Sequence, residues 1–389
     1  MRQPYLRLRE ALPQVLILAV MAFFSMYART VLSPLLVPIQ FDLGIGPARA
    51  TQLFLPLSVL YSVAMLFSGF LVERIEHRTN IALAIALLGL GLLSLSMARS
   101  FPMMAIAFGT IGAGAGIYVP SGVSTVTALV DDGIRGKAVS VHELGPNSAF
   151  YIAPLVVALL AAHGGWRLVP AISGTVAILY AVLFVRVSVG GRFRGRRPRL
   201  GNVRDLVRKP AFWAIAVFFA VAASSTLGVY SILPTYLVRI HHFDQRFVNT
   251  LLSLSRVSGI GIVLLSGILV DRIGSRRLIV GVFALTGPLT LGLGVFSGTP
   301  LVVLVFLQPV VINAFFPAAI HAVADLGEPS LRNVAVSVMI PLVNLVSTGV
   351  FPTIMGYLTE RGTVALGFIV LGAMMLLLLP FNRLLPGQG

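Results

Sequence analysis

The chain has 389 residues, of which 57% are hydrophobic and only 11% charged, with no cysteine and a formal net charge of +16. A soluble globule carries roughly 25% charged residues, so this composition excludes a water-soluble domain. The missing cysteine excludes disulfides and thiol chemistry, and the basic residues cluster in the connections between apolar runs rather than as a nucleic-acid-binding patch.

Apolar runs of about 20 residues, each long enough to cross a bilayer as a helix, recur twelve times. The first six are predicted at 13–38, 50–73, 79–98, 101–130, 137–162 and 166–189. The second six are predicted at 211–238, 247–271, 277–297, 300–324, 333–358 and 364–385. The first run lacks a small-residue cleavage site and is too long for a signal peptide. Residues 190–209, rich in Gly and Arg, have no apolar periodicity and read as a flexible cytoplasmic linker. It joins an N-terminal six-helix bundle (1–189) to a C-terminal one (210–389). With an inner N-terminus, cytoplasmic segments hold 21 of the 29 Lys and Arg. That bias is expected to fix both termini in the cytoplasm of a cell whose inner (plasma) membrane the chain crosses.

In helix 1, Arg29 lies within about a turn of the bilayer centre, at ~1.5 Å rise per residue. A guanidinium at that depth costs at least about 2.5–3.5 kcal/mol, so it must face a partner or a polar path. Helix 2 ends in Ser68-Gly69-Phe70-Leu71-Val72-Glu73-Arg74-Ile75. The run Gly112-Ala113-Gly114-Ala115-Gly116 in helix 4 has no preceding strand, so it reads as close helix packing rather than a nucleotide loop. Helix 4 also carries Tyr118. Helix 5 opens at Arg135 and sets Glu143, Asn147 and Tyr151 at i, i+4 and i+8 on one face, beside His142. Helix 8 carries a second arginine, Arg256, at a depth similar to that of Arg29. Helix 11 opens at Arg332 and bears Asn344.

The phrase at 68–75 returns as Ser266-Gly267-Ile268-Leu269-Val270-Asp271-Arg272-Ile273, 198 residues later. Ala138-Val139-Ser140-Val141 likewise matches Ala335-Val336-Ser337-Val338. Such an echo implies two parallel copies of one six-helix unit. Two such halves, a long central loop, and Gly267, Asp271, Arg272, Gly274, Arg276 and Arg277 between helices 8 and 9 resemble the major facilitator superfamily. The first half departs from that motif, with Glu73 in place of Asp and Glu76 at the second Gly. The resemblance implies an all-α membrane fold of twelve transmembrane helices in two pseudo-symmetric bundles, working by alternating access. Tyr27-Ala28-Arg29 is similar to organic-anion branches, in which a helix-1 arginine contacts substrate. Some of those branches have an acidic residue where Ala28 stands.

Arg29 and Arg256 are therefore expected to bind the charge of a small, monocarboxylate-like anion, with Tyr27, Tyr118, Asn147, Tyr151 and Asn344 shaping the site. The competing reading pairs one arginine with Glu143. Glu143 and His142 are the proton-carrier candidates, against a simple cap or ion pair near the cytoplasmic mouth. Glu73 with Arg332, and Asp271 with Arg135, are expected to latch the cytoplasmic side. The expected function is secondary active transport, not enzymatic turnover, by a monomer whose partners are the anion, a proton or counter-anion, and membrane lipids. No metal, ATP, other cofactor or nucleic acid is expected. One alternative is a proton-driven exporter of drugs or lipophiles. Its helix-5 Gly-Pro-x-x-Gly-Gly element matches Gly145-Pro146-Asn147-Ser148-Ala149-Phe150 poorly. Another is a transporter-like sensor, whose expected signature is a large soluble appendage.

Overall fold

The computed structural model describes residues 8–195, 201–257, 266, 269–270, 272–324 and 329–385. Among them, helices occupy all twelve predicted apolar runs, and no β-strand occurs. The first half contains α1 (Glu10–Leu43), α2 (Pro47–Arg74), α3 (His77–Met97), α4 (Phe101–Leu129), α5 (Arg135–Gly164) and α6 (Leu168–Val187). The second contains α7 (Pro210–Arg239), α8 (Gln245–Val257), α9 (Ser275–Val295), α10 (Gly298–Val323), α11 (Ala335–Glu360) and α12 (Val364–Leu377). Among the described residues, ten of these helices, all but α8 and α12, are long and apolar enough to cross a membrane.

By contacts the chain forms two units, one of residues 1–35 and 56–198 and the other of 36–55 and 199–389. In the first unit α3 packs against α4 and α6, and α1 packs against α5. Lipid tails are as apolar as leucine, so such helices are held by van der Waals fit rather than by water exclusion. Glycines allow close approaches between these helices. A Cβ at Gly145 on α5 would overlap the Ala19 carbonyl of α1, and one at Gly116 on α4 would overlap the Tyr61 carbonyl of α2. Large apolar side chains on α3 and α6, such as Leu83, Leu90, Leu179 and Leu183, are exposed, as lipid-facing residues are.

The connection after α6, expected to be flexible, is partly structured. Its backbone binds the α2–α3 turn through Phe193 O to His77 N–H at 3.0 Å, Gly191 O to Arg78 N–H at 2.9 Å, and Gly195 N–H to Val72 O at 2.8 Å. The Phe193 ring lies 4.6 Å from that of His77, and residues 201–207 form a short helix. Aromatic packing and satisfied peptide groups fix this segment without any apolar periodicity to announce it.

In the second unit α9 packs on α12 and α8 on α10. Helices α7 and α11 each contain a π-helical turn, Ser224–Gly228 and Leu345–Val350, and the two turns meet. Such turns insert one residue, disturb the backbone ladder and occur often at functional sites. Segment 36–55 is pinned to α7 and α11. Gln40 donates to Thr235 Oγ1 at 3.1 Å, Gln52 donates to the Tyr357 hydroxyl at 2.6 Å, and Ala48 N–H donates to Glu360 at 3.3 Å. The Arg239 guanidinium lies 3.9 Å from the Phe41 ring centroid.

Candidate functional site

Each unit holds one of the two intramembrane arginines, and each guanidinium lies over a tyrosine ring. In the first unit Arg29 is half-buried, 4.3 Å from the centroid of Tyr61 on α2. The α1 helix is interrupted at Val31, just beyond this arginine. Pro34 has no N–H to give the Thr30 carbonyl, which weakens the helix there. The Thr30 hydroxyl adds bonds to the Met26 and Tyr27 carbonyls at 3.1 and 3.2 Å. In the second unit Arg256 is 7% exposed, and its centroid distance to Tyr230 on α7 is 4.9 Å. Its Nη2 also donates to Thr226 O at 3.4 Å, a carbonyl inside the π-helical turn of α7. A guanidinium over an aromatic face gains a cation–π contact, and its planar N–H fork is the part that recognises a carboxylate.

Around Arg256 the second unit is rich in buried polar groups. Gln308 on α10 donates to Ser225 O and Ser225 Oγ, both at 2.7 Å, and Ser225 Oγ meets Thr290 Oγ1 at 3.2 Å. Asn344 is buried immediately before the π-helical turn of α11 and accepts from Thr348 at 3.3 Å. Gly228, ending the α7 turn, lies against Ser347 and Phe351 of α11. The sequence reading missed Tyr61, Tyr230, Ser225 and Gln308. Gln308, an amide in the apolar α10, and the Ser224-Ser225-Thr226 run in α7 were the available signals.

Other expected binding residues have different surroundings. The Tyr27 hydroxyl meets Ser173 Oγ on α6 at 2.8 Å, and its ring stacks on Phe23. Asn147 is exposed and its amide donates to the Glu143 carbonyl at 2.8 Å, within its own helix. Tyr151 is half-buried. Tyr118 is buried; its hydroxyl donates to the Leu18 carbonyl of α1 at 3.0 Å and lies 2.9 Å from His142 Nε2. His142 Nδ1 in turn lies 3.3 Å from Glu143 Oε1, with Glu143 48% exposed. The structure thus joins His142, Glu143 and Tyr118 in one chain and leaves Asn147 beside it.

Of the expected cytoplasmic latch, Glu73 is half-buried near the end of α2, and Arg135 is the half-buried first residue of α5. Asp271 and the side chain of Arg332 lie outside the described residues. Among the described residues no cluster of three or more His, Asp or Glu side chains is arranged to hold a metal ion.

Comparison with known proteins fits this architecture. A profile described as Major Facilitator Superfamily matches residues 18–299 and 247–386. A purine ribonucleoside efflux pump, NepI, from Shigella sonnei (strain Ss046) is 29% identical over 243 residues, covering 60% of this chain and 59% of that protein's length. Among solved structures, a bacterial homolog of the human lysosomal transporter Spinster superposes with TM-score 0.81 at 17% identity, covering 98% of this chain and 97% of that one. The nucleoside transporter NupG gives 0.78 at 14% identity, covering 95% and 99%. The peptide transporter POT gives 0.75 at 15% identity, covering 96% and 95%.

Proposed function

The chain belongs to the major facilitator superfamily of membrane transporters, and we propose that it carries a small organic anion of the monocarboxylate type by alternating access. The observation behind this reading is the guanidinium-on-tyrosine arrangement present once in each unit, Arg29 on Tyr61 and Arg256 on Tyr230. A ring face helps to hold a guanidinium at membrane depth, and the planar fork of a guanidinium matches the geometry of a carboxylate. The rival reading needs Glu143 as an arginine's partner, and the Glu143 carboxylate instead meets His142. The His142–Glu143 pair supports a proton as the coupling ion, and the charge bias of the connections supports cytoplasmic termini in the inner membrane. Asn344 and Tyr151 belong to this proposed site as shaping residues, and the Glu73–Arg332 and Asp271–Arg135 latch remains part of the proposal.

Uptake of labelled substrates into proteoliposomes, with and without an inward proton gradient, tests it. Monocarboxylates are expected to accumulate with the gradient and to collapse with a protonophore. A second reading, export of purine nucleosides, is favoured by the relative described as a purine ribonucleoside efflux pump. Including adenosine and guanosine in the same panel separates the two. Nucleoside transport without carboxylate transport overturns the anion reading.

A further inference from the structure

We propose that the Tyr118 hydroxyl transmits the protonation state of the His142–Glu143 pair to α1. The proposal deepens the proton-coupled reading and rests on it for its use in transport. Three contacts carry it. The phenol donates to the Leu18 carbonyl of α1, its oxygen lies 2.9 Å from His142 Nε2, and His142 Nδ1 lies 3.3 Å from Glu143 Oε1. The two rings are nearly parallel, 7° apart. His142 is 3% exposed and Tyr118 also 3%, whereas the Glu143 side chain is 48% exposed. A buried imidazole thus bridges an open carboxylate to a helix backbone.

Counting hydrogens makes the chain a two-state device. When the phenol donates to Leu18, its oxygen must accept from His142 Nε2–H, because a hydroxyl has a single hydrogen to give. Nδ1 then faces Glu143, and one proton is needed on that contact, on nitrogen or on oxygen, to avoid two opposed lone pairs. This is the proton-loaded state, with three hydrogens: Nε2–H, the shared proton and the phenol O–H. Loss of one proton to water leaves two. The neutral imidazole then keeps its hydrogen on Nδ1, donating to the Glu143 carboxylate, and Nε2 becomes an acceptor. The phenol O–H turns to Nε2 and releases the Leu18 carbonyl. Deprotonation therefore loosens one bond between α4 and α1.

Helix α1 is the element that such a change moves usefully. Leu18 stands about three turns from Arg29 on it, and Gly145, three residues after His142, lets α5 touch the Ala19 carbonyl directly. The other ionisable groups facing the chain are few. From α6, Tyr180 donates to the Ile17 carbonyl at 3.3 Å. From α1, no ionisable side chain stands in the sequence from residue 11 to 26. On α5 itself, Lys137 is exposed. The imidazole, whose two ring nitrogens exchange donor and acceptor roles when a proton leaves, is the group that reverses the chain.

The absence of native cysteine allows a direct test without knowing the substrate. A single Leu16→Cys substitution on α1, at a position 47% exposed, carries a spin label or environment-sensitive fluorophore. The purified, reconstituted protein is titrated from about pH 5 to 8. The label signal is expected to follow a one-proton transition in this parent, and to lose at least about fivefold of its amplitude in Tyr118→Phe. His142→Gln is expected to make the signal independent of pH, whereas Glu143→Gln, which leaves the imidazole in place but removes the carboxylate charge, is expected to shift the transition to lower pH. Thermal melting of each variant, and the intact aromatic ring in Tyr118→Phe, keep loss of fold apart from loss of signal. A Tyr118→Phe protein that titrates like its parent overturns the proposal, as does a parent whose signal is flat or a His142→Gln protein that still titrates. The label reports this device whatever the panel of substrates shows, so failure of the anion reading is read separately, in the uptake assay.

Discussion

A tyrosine ring beneath an arginine changes what that arginine is able to do inside a membrane. Tyr61 and Tyr230 each supply a polarisable face to a guanidinium, worth about 0.5–2 kcal/mol depending on desolvation. Tyr230→Leu is therefore expected to reduce apparent substrate affinity by about two- to thirtyfold, while Tyr230→Phe keeps most of it. Equilibrium binding or the KM of uptake checks this, and equal losses in the two variants would point to the hydroxyl instead. A second residue-scale prediction concerns the loop after α7. Burial, and then the charge of His242, hold the His241 imidazole below its ordinary pKa of 6.5. The depressed folded pKa means that the unfolded chain takes up the proton first. The contribution of His241 to stability is thus fully present above about pH 6.5 and is lost as pH falls below it. Thermal melts at about pH 7.5 and 5.5 should show a smaller acid loss for His241→Phe than for the parent.

Among the elements, the glycine run of α4 was legible in the sequence as a packing stripe, and its geometry explains why. Gly112 and Gly116 face α2 backbone at Leu57 and Tyr61, while Gly114 faces α3 at Ala84 and Leu88. Since Gly116 touches the residue that supports Arg29, Gly116→Leu is expected to cost about 1–3 kcal/mol by overpacking and to displace Tyr61. A lower melting temperature together with a raised KM is the expected result; lost stability with an unchanged KM would detach the packing from the site. The π-helical turns of α7 and α11 were not legible. Nothing in Ser224-Ser225-Thr226-Leu227-Gly228 announces a one-residue insertion, and the groups that meet it, the facing turn of α11 and Arg256 at the Thr226 carbonyl, lie far along the chain. The structured connection at 190–195 escaped for a similar reason, because its bonds go to the α2–α3 turn far along the chain.

At the scale of the whole molecule, twelve apolar runs, the echo 198 residues apart and the charge bias carried enough information to expect the fold and its family. Those signals are collective, summed over many residues, and survive local error. Candidate site assignments depend instead on where single side chains point. Tyr27 precedes Arg29 by only two positions in the chain, yet its hydroxyl meets Ser173 on α6, while Arg29 lies over Tyr61 on α2. Helical periodicity alone says that these two side chains diverge, but not what each one meets. The central claim is that Arg29 and Arg256 bind the substrate's charge. The most direct measurement is the initial rate of proton-driven carboxylate uptake in proteoliposomes for the parent, Arg29→Ala and Arg256→Ala. Removing a charge-assisted pair worth about 1.5–3 kcal/mol should lower kcat/KM by at least about tenfold in each variant. Parent-like uptake by both alanine variants would contradict the account.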